Sequence, residues 1–261
     1  MPFNAPILLS DRSLIKFFGA DAEIFLQNMM TQDMRALQKT PLLYSCFLTP
    51  QGQVLADFFV RCHSDGFLID IDGAVVDDFM KRISIFKLRQ KVEMQKISPQ
   101  ELCVTAAASG GEPDPRLPSL GCRIYAPSLP SADLEIYHDY CIDQGVISKS
   151  SGIRLGKDVM ADLNFDLLGA AAWDKGCFIG QEVAARMYHR NLAKKRIFRI
   201  GSKTSMKSGE IVKNSNGDEV GEVRQVSSSG LHALAMLRVA HRADILETES
   251  GVSLRVFSGI Y

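Results

Sequence analysis

The feature that most limits the fold is the stretch "LLYSCFLTPQGQVLADFFVRCHSDGFLIDI", residues 42–71. Three apolar runs are separated by "TPQGQ" and "HSDG", both made of turn-forming residues, so the stretch reads as an antiparallel meander. Before it, "SLIKFFG" is a short strand. Asp21 then caps a helix whose Ala22, Phe25, Leu26 and Met29 share one face. After it, "AVVDDFMKRISIFKLR" repeats Val76, Phe79, Met80, Ile83 and Phe86 at helical spacing, and "KVEMQKIS" and "ELCVTAAAS" return to strands. This mixed order indicates α+β architecture rather than βαβ units.

"SGGEPDPRLPSLG" is rich in Pro, Gly and Ser and reads as a loop; the strand "CRIYA" and a helix from about Ser131 to Gln144 follow. From Arg196 the pattern changes to short strands and turns. These are "RIFRIG", "GEIVKNSNGDEVGEVRQV" with its Asn216-Gly217 hairpin signal, "HALAMLRV" and "VSLRVFSG". They predict a small β-barrel or sandwich, so the chain divides into residues 1–195 and 196–261.

With 261 residues, 46% of them hydrophobic, the chain can bury a sizeable core and form two or three lobes. Thirty basic and thirty acidic residues cancel, so attraction to nucleic acid or anionic membrane has to be local. The six cysteines show neither a C-x-x-C pair nor regular spacing, which argues against a disulfide framework or a structural zinc site. A reducing compartment fits. The start lacks the pattern of a secretory signal or transit peptide, and no segment has the ~18 unbroken apolar residues of a membrane span. The expectation is a cytoplasmic protein with no membrane or DNA partner.

Chemistry concentrates in "WDKGCFIGQEVAARMYHR", Trp173 to Arg190. Gly176 and Gly180 bracket Cys177 and permit close approach or positive φ. Cys177 precedes a helix N-terminus and follows the Lys175 ammonium, two positive influences that favour a thiolate. The competing reading is a small buried hydrophobe, and local features leave the two evenly balanced. Glu182 and Arg186 have i,i+4 spacing in the favourable order. Gln181 and Glu182 can orient a substrate amide or take a proton, although an acid in the first turn of a helix is also ordinary dipole compensation. Asp57, after the "TPQGQ" turn, can act as an acid or anchor an amine if its strand faces a cavity; an exposed strand acid is the alternative. Between Glu182 and Glu210 every charged residue is basic. That excess suits a phosphate, a polyanionic tail or simply a solvated face, and without aromatic interleaving it does not predict direct RNA binding.

"KGCFIGQEVAARMYHR" closely resembles the K-G-C-[YF]-x-G-Q-E signature of the YgfZ family, folate-binding relatives of the glycine-cleavage T-protein that assist iron–sulfur cluster assembly. "LIKFFGADAEIFLQNMMTQDM" and "YSCFLTPQGQVLADFFV" resemble two further family segments in the right order, and "ALAMLR" is similar to the end segment of its barrel. The resemblance implies a three-lobed ring, two α+β lobes (1–195) and a C-terminal β-barrel (196–261), around a central cavity. Lys175, Gly176, Cys177, Gly180, Gln181 and Glu182 match the signature, and Arg186 matches the arginine that commonly follows it. Asn191 stands where a glycine is usual.

By the same resemblance, tetrahydrofolate or a related folate is the expected cofactor, with Asp57 as a candidate contact. No stably bound metal is expected, Cys177 being a thiol that can share a cluster. The implied partners are iron–sulfur assembly proteins or client enzymes, with tRNA modification supported only indirectly. An aminomethyltransferase of the T-protein type and a non-catalytic folate-sensing scaffold are the alternatives.

Overall fold

The computed structural model describes residues 5–127, 132–257 and 260. In chain order the strands and helices are β1 (Ile7–Leu8), β2 (Arg12–Phe18), α1 (Ala22–Met29), β3 (Leu43–Leu48), β4 (Val54–His63), β5 (Gly66–Asp72), α2 (Val76–Ser84), β6 (Glu93–Ile97), β7 (Cys103–Ala107), β8 (Glu112–Pro113), β9 (Cys122–Ala126), α3 (Leu134–Asp143), α4 (Gln181–His189), β10 (Lys195–Gly201), β11 (Ile211–Asn214), β12 (Glu219–Val226), β13 (His232–Arg238), β14 (Leu246–Thr248) and β15 (Ser253–Phe257).

The expected meander is β3-β4-β5, which continues into β2 and β6 as a five-stranded sheet. Its two faces follow from strand alternation. Ala56, Phe58 and Val60 meet Phe25 and Leu26 of α1 and Phe79 and Ile83 of α2. Tyr44, Phe59 and Leu68 face a second core shared with Val104, Tyr137 and Phe165. That core is closed by the four-stranded sheet β1-β7-β9-β8. Because β1 pairs with β7, the chain starts in the second sheet, builds the first, and returns. The last six strands close into a barrel in the order β10-β13-β12-β11-β14-β15. The α+β fold with a C-terminal barrel therefore stands as expected. Among the described residues, no helix is long and apolar enough to cross a membrane.

Local details differ from expectation. Asp21 does not cap α1 with its side chain; its carboxylate accepts from the Lys91 amide at 2.7 Å, tying the helix start to a neighbouring loop. Helix α2 stops at Ser84, and Phe86 lies past its end, its ring 6.0 Å from that of Phe47. Helix α3 begins at Leu134, where the Asp133 carboxylate accepts from the Glu135 amide; Ser131, the expected start, lies outside the described residues. At Asn216-Gly217 the hairpin forms, and the Asn214 side chain accepts from the amides of Asn216 and Asp218.

Polar contacts join the lobes. Arg224 of the barrel makes a bidentate pair with Asp158, and the Ser148 hydroxyl, 2.8 Å from His138 of α3, accepts from Gln225 of the barrel. Burial pushes Asp162 up to about 6, and nearby Asp158 adds to the rise. A carboxyl raised in the fold stabilises it fully below its ordinary pKa and loses that contribution as pH climbs toward 6. Asp162→Asn is therefore expected to raise stability above pH 6 by roughly 1–2 kcal/mol after allowing for partial solvent screening. Urea titrations at pH 4 and pH 7 check it, and an equal effect at both would refute it.

Candidate functional site

The segment Lys175–Gly180 is irregular, yet it is held from several sides. Lys175 is buried, and its Nζ donates to the carbonyls of Gln27 at 2.6 Å, Met30 at 2.8 Å and Gln32 at 2.9 Å. These carbonyls end α1 or follow it, so the ammonium occupies the negative pole of that helix. Burial draws the lysine down to about 8, with Asp33 pulling the other way. Phe178 enters the core between the two sheets and Ile179 packs on the core under α1 and α2. Trp173, before the loop, stacks on Tyr188 of α4 at 4.3 Å and 11°.

Gly180 has φ 79°, and a Cβ there would lie 2.5 Å from the Thr49 carbonyl oxygen and 3.1 Å from Gly52 Cα. The signature loop thus presses against the "TPQG" turn, uniting two motifs far apart in sequence. Gly176 has open space where a Cβ would go. Gly180→Ala is expected to lose about 2–3 kcal/mol, from clash plus the left-handed backbone, and Gly176→Ala less than about 0.5 kcal/mol. Guanidinium unfolding of both variants tests this, equal losses being the contrary result.

Within this loop only Gly176 and Cys177 are exposed. Cys177 fills no core and has no hydrogen-bond partner among the described residues. The Lys175 ammonium gives its hydrogen bonds to three carbonyls and none to the thiol. The helix start is real, with Gly180 as the N-cap of α4 and Gln181 as its first residue. Glu182 and Arg186 are both exposed, and the ion pair expected between them is not formed. Beside the thiol loop, Glu23, Ile24, Gln27, Met34, Arg35 and Gly176 line an open cleft of about 370 Å³. Among the described residues, no group of three His, Cys, Asp or Glu side chains can hold a metal ion.

Asp57 lies on the inner face of β4. It accepts from the Tyr44 hydroxyl at 3.0 Å and keeps partial solvent access deep between the sheets. Burial raises its pKa, Arg12, the Tyr44 hydroxyl and Arg116 counteract, and Asp72 adds to the rise. Around it is a charged cluster that the sequence pattern does not announce. Asp70 is paired with Arg12 at 2.7 Å and Arg123 at 2.8 Å, and Asp114 with Arg116 at 2.7 Å. Arg116 and Arg123 also donate to the Tyr137 hydroxyl, and Arg123 lies 3.9 Å from the Phe59 ring centre. Its only traces in the sequence are Asp114-x-Arg116 inside the Pro-rich loop and an arginine within "CRIYA".

Residues 194–258 match the family of the CAF17 C-terminal beta-barrel domain. The chain is 31% identical over 215 residues to the mitochondrial iron–sulfur cluster assembly factor IBA57 homolog of Pyricularia oryzae, covering 72% of this chain and 55% of that protein. It is 26% identical over 272 residues to mitochondrial IBA57 of Homo sapiens, covering 88% and 76%. The alignments span about half the length of the fungal relatives. In structure it is similar to glycine cleavage system aminomethyltransferase T from Bartonella henselae, with TM-score 0.77 over 97% of this chain and 84% of that one, at 14% identity. The resemblance to YgfZ is thereby refined: the homologues are IBA57 factors, a related group. The cytoplasmic expectation is overturned, since these relatives are named as mitochondrial proteins. The chain has the fold of aminomethyltransferase T with a CAF17-type terminal barrel, and its homologues are iron–sulfur cluster assembly factors.

Proposed function

We propose that this protein serves iron–sulfur cluster assembly, with Cys177 supplying one thiolate to a cluster whose other ligands come from a partner. The observation that carries this reading is an exposed lone thiol on a loop otherwise anchored by Lys175, Phe178, Ile179 and Gly180. Clusters are usually held by four thiolates, so one cysteine acts only in company. The partner is an assembly protein or a client enzyme, and any support of tRNA modification runs through such clients. A reduced folate is the proposed small-molecule ligand, its ring amine facing Asp57.

Cells lacking the protein, supplied with wild type or Cys177→Ser, provide the test. Iron–sulfur enzyme activity is expected to return with wild type alone, and full rescue by the serine variant would exclude the thiol role. Calorimetric titration with tetrahydrofolate tests the ligand, with loss of binding expected in Asp57→Asn. The aminomethyltransferase alternative is favoured by the fold and by Asp57 but leaves Cys177 without a task. Purified protein given the aminomethyl carrier is expected to transfer nothing.

A further inference from the structure

The basic run after Glu182 has no task in the site just described. Its eight cations, Arg186 to Lys207, are not equivalent in the fold. Arg196 is buried against Asp166 at 2.7 Å, and Arg199 donates to the Asp143 carbonyl and lies on the Phe257 ring. Arg186, Arg190, Lys194 and Lys195 are exposed and have no ion-pair partner among the described residues. Arg238 joins them from β13, directly opposite Lys195 in the antiparallel pair, and is likewise exposed and unpaired.

Opposed like charges on neighbouring strands weaken a sheet, as do like charges at i,i+4 on a helix. The C-terminal pole of α4 compensates Arg186 and Arg190. It does nothing of the kind for Lys195 and Arg238 on the barrel. Asp162, the carboxylate that senses Lys195, makes no ion pair with it. In a chain of thirty basic and thirty acidic residues, this concentration is a local choice.

Position gives it a meaning. Helix α4 starts at Gln181, just beyond the Cys177 loop, and leads through Arg190 and Lys194 to β10. We propose that Arg186, Arg190, Lys194, Lys195 and Arg238 are the docking surface for an acidic face of the protein that brings the remaining cluster ligands to Cys177. The inference rests on the shared-ligand reading of Cys177. A protein suits the surface better than a nucleic acid. Lys195 and Arg238 rim a cleft of about 200 Å³ whose walls also carry Glu219 and Glu222. Glu222 in that wall is paired with Arg154 and Arg224, so discrete charges of both signs alternate there and suit the spaced, mixed charges of a protein face better than a continuous phosphate backbone.

The test uses the full chain and two fluorescent probes, a short oligoglutamate peptide and an oligouridylate of equal charge, followed by anisotropy at low and high salt. The peptide is expected to bind at low salt, to be released by high salt, and to bind about tenfold more weakly to the double variant Lys195→Glu/Arg238→Glu. That variant puts one like-charged pair in place of another, so the neutral double variant Lys195→Gln/Arg238→Gln, which removes the contact, is measured beside it and should melt no lower than wild type while also binding the peptide more weakly. Tighter binding of oligouridylate than of peptide, or peptide affinity unchanged by charge reversal, overturns the proposal. Cys177→Ser is expected to bind the peptide as wild type does. Failure of the thiol reading would therefore show in cellular rescue, and failure of the docking surface in the peptide titration. In cells, the charge-reversed variant should lose rescue while its Cys177 reacts with maleimide at the wild-type rate.

Discussion

Asp70→Ala will destabilise the protein by roughly 3–5 kcal/mol, the largest effect expected of any single substitution in the first two sheets. Asp70 is almost wholly buried between Arg12 and Arg123, and Tyr125 donates to it at 3.1 Å. Burial by itself would raise this carboxyl, but the two guanidiniums outweigh it and hold its pKa below the ordinary range. Truncation leaves both cations in a dry interior with one counter-charge fewer, and desolvated unpaired charge is the costliest defect a core can carry. The contribution is present above the ordinary carboxyl pKa and disappears as pH falls through the lowered folded value. Wild type should therefore lose stability in acid more steeply than the variant does. Urea unfolding at pH 7 and pH 3 measures both quantities. A loss at pH 7 below about 1 kcal/mol would mean that the cluster is solvated in solution.

Lys175→Met comes second, at about 2–4 kcal/mol. Methionine can fill much of the volume and escapes the cost of burying an ammonium. It leaves the carbonyls of Gln27, Met30 and Gln32 without their donor. Three unsatisfied acceptors at one helix end outweigh the saving. Arginine is not expected to restore stability, because a planar guanidinium cannot direct its donors to three carbonyls converging on one point. Amide hydrogen exchange should quicken at the end of α1, and alkylation of Cys177 should change in rate as its loop loosens. Wild-type exchange at α1 in the methionine variant would show that Lys175 is dispensable there.

Much of the architecture is legible in the order of residues alone. The "TPQGQ" and "HSDG" turns, the apolar spacing of Phe25 with Leu26 and of Phe79 with Ile83, and the Asn216-Gly217 hairpin are local signals, and local geometry obeys them. Helix ends are less legible. Phe86 continues the helical spacing of α2, yet its ring packs near Phe47, a contact made by tertiary structure after the helix has stopped.

The site divides the same way. Sequence alone marks Cys177, its flanking glycines and the helix that follows, because these are features of residue type and spacing. It cannot assign Lys175 to α1 rather than to the thiol, since the carbonyls that hold it lie more than 140 positions away. Nor can it separate Gly180, which needs its missing Cβ, from Gly176, which does not; the difference is one carbonyl oxygen of Thr49. Asn191, where a glycine is usual, has φ 47°, a left-handed position that asparagine tolerates better than most side chains. The buried cluster of Asp70, Asp114, Arg116 and Arg123 escapes a sequence pattern because charged residues in a loop and near strand ends read as solvent-facing. Sequence determined which segments pair and which residue types can react. Tertiary structure decided which charges neutralise one another inside and which remain outside, because that depends on distances between segments that no local pattern encodes.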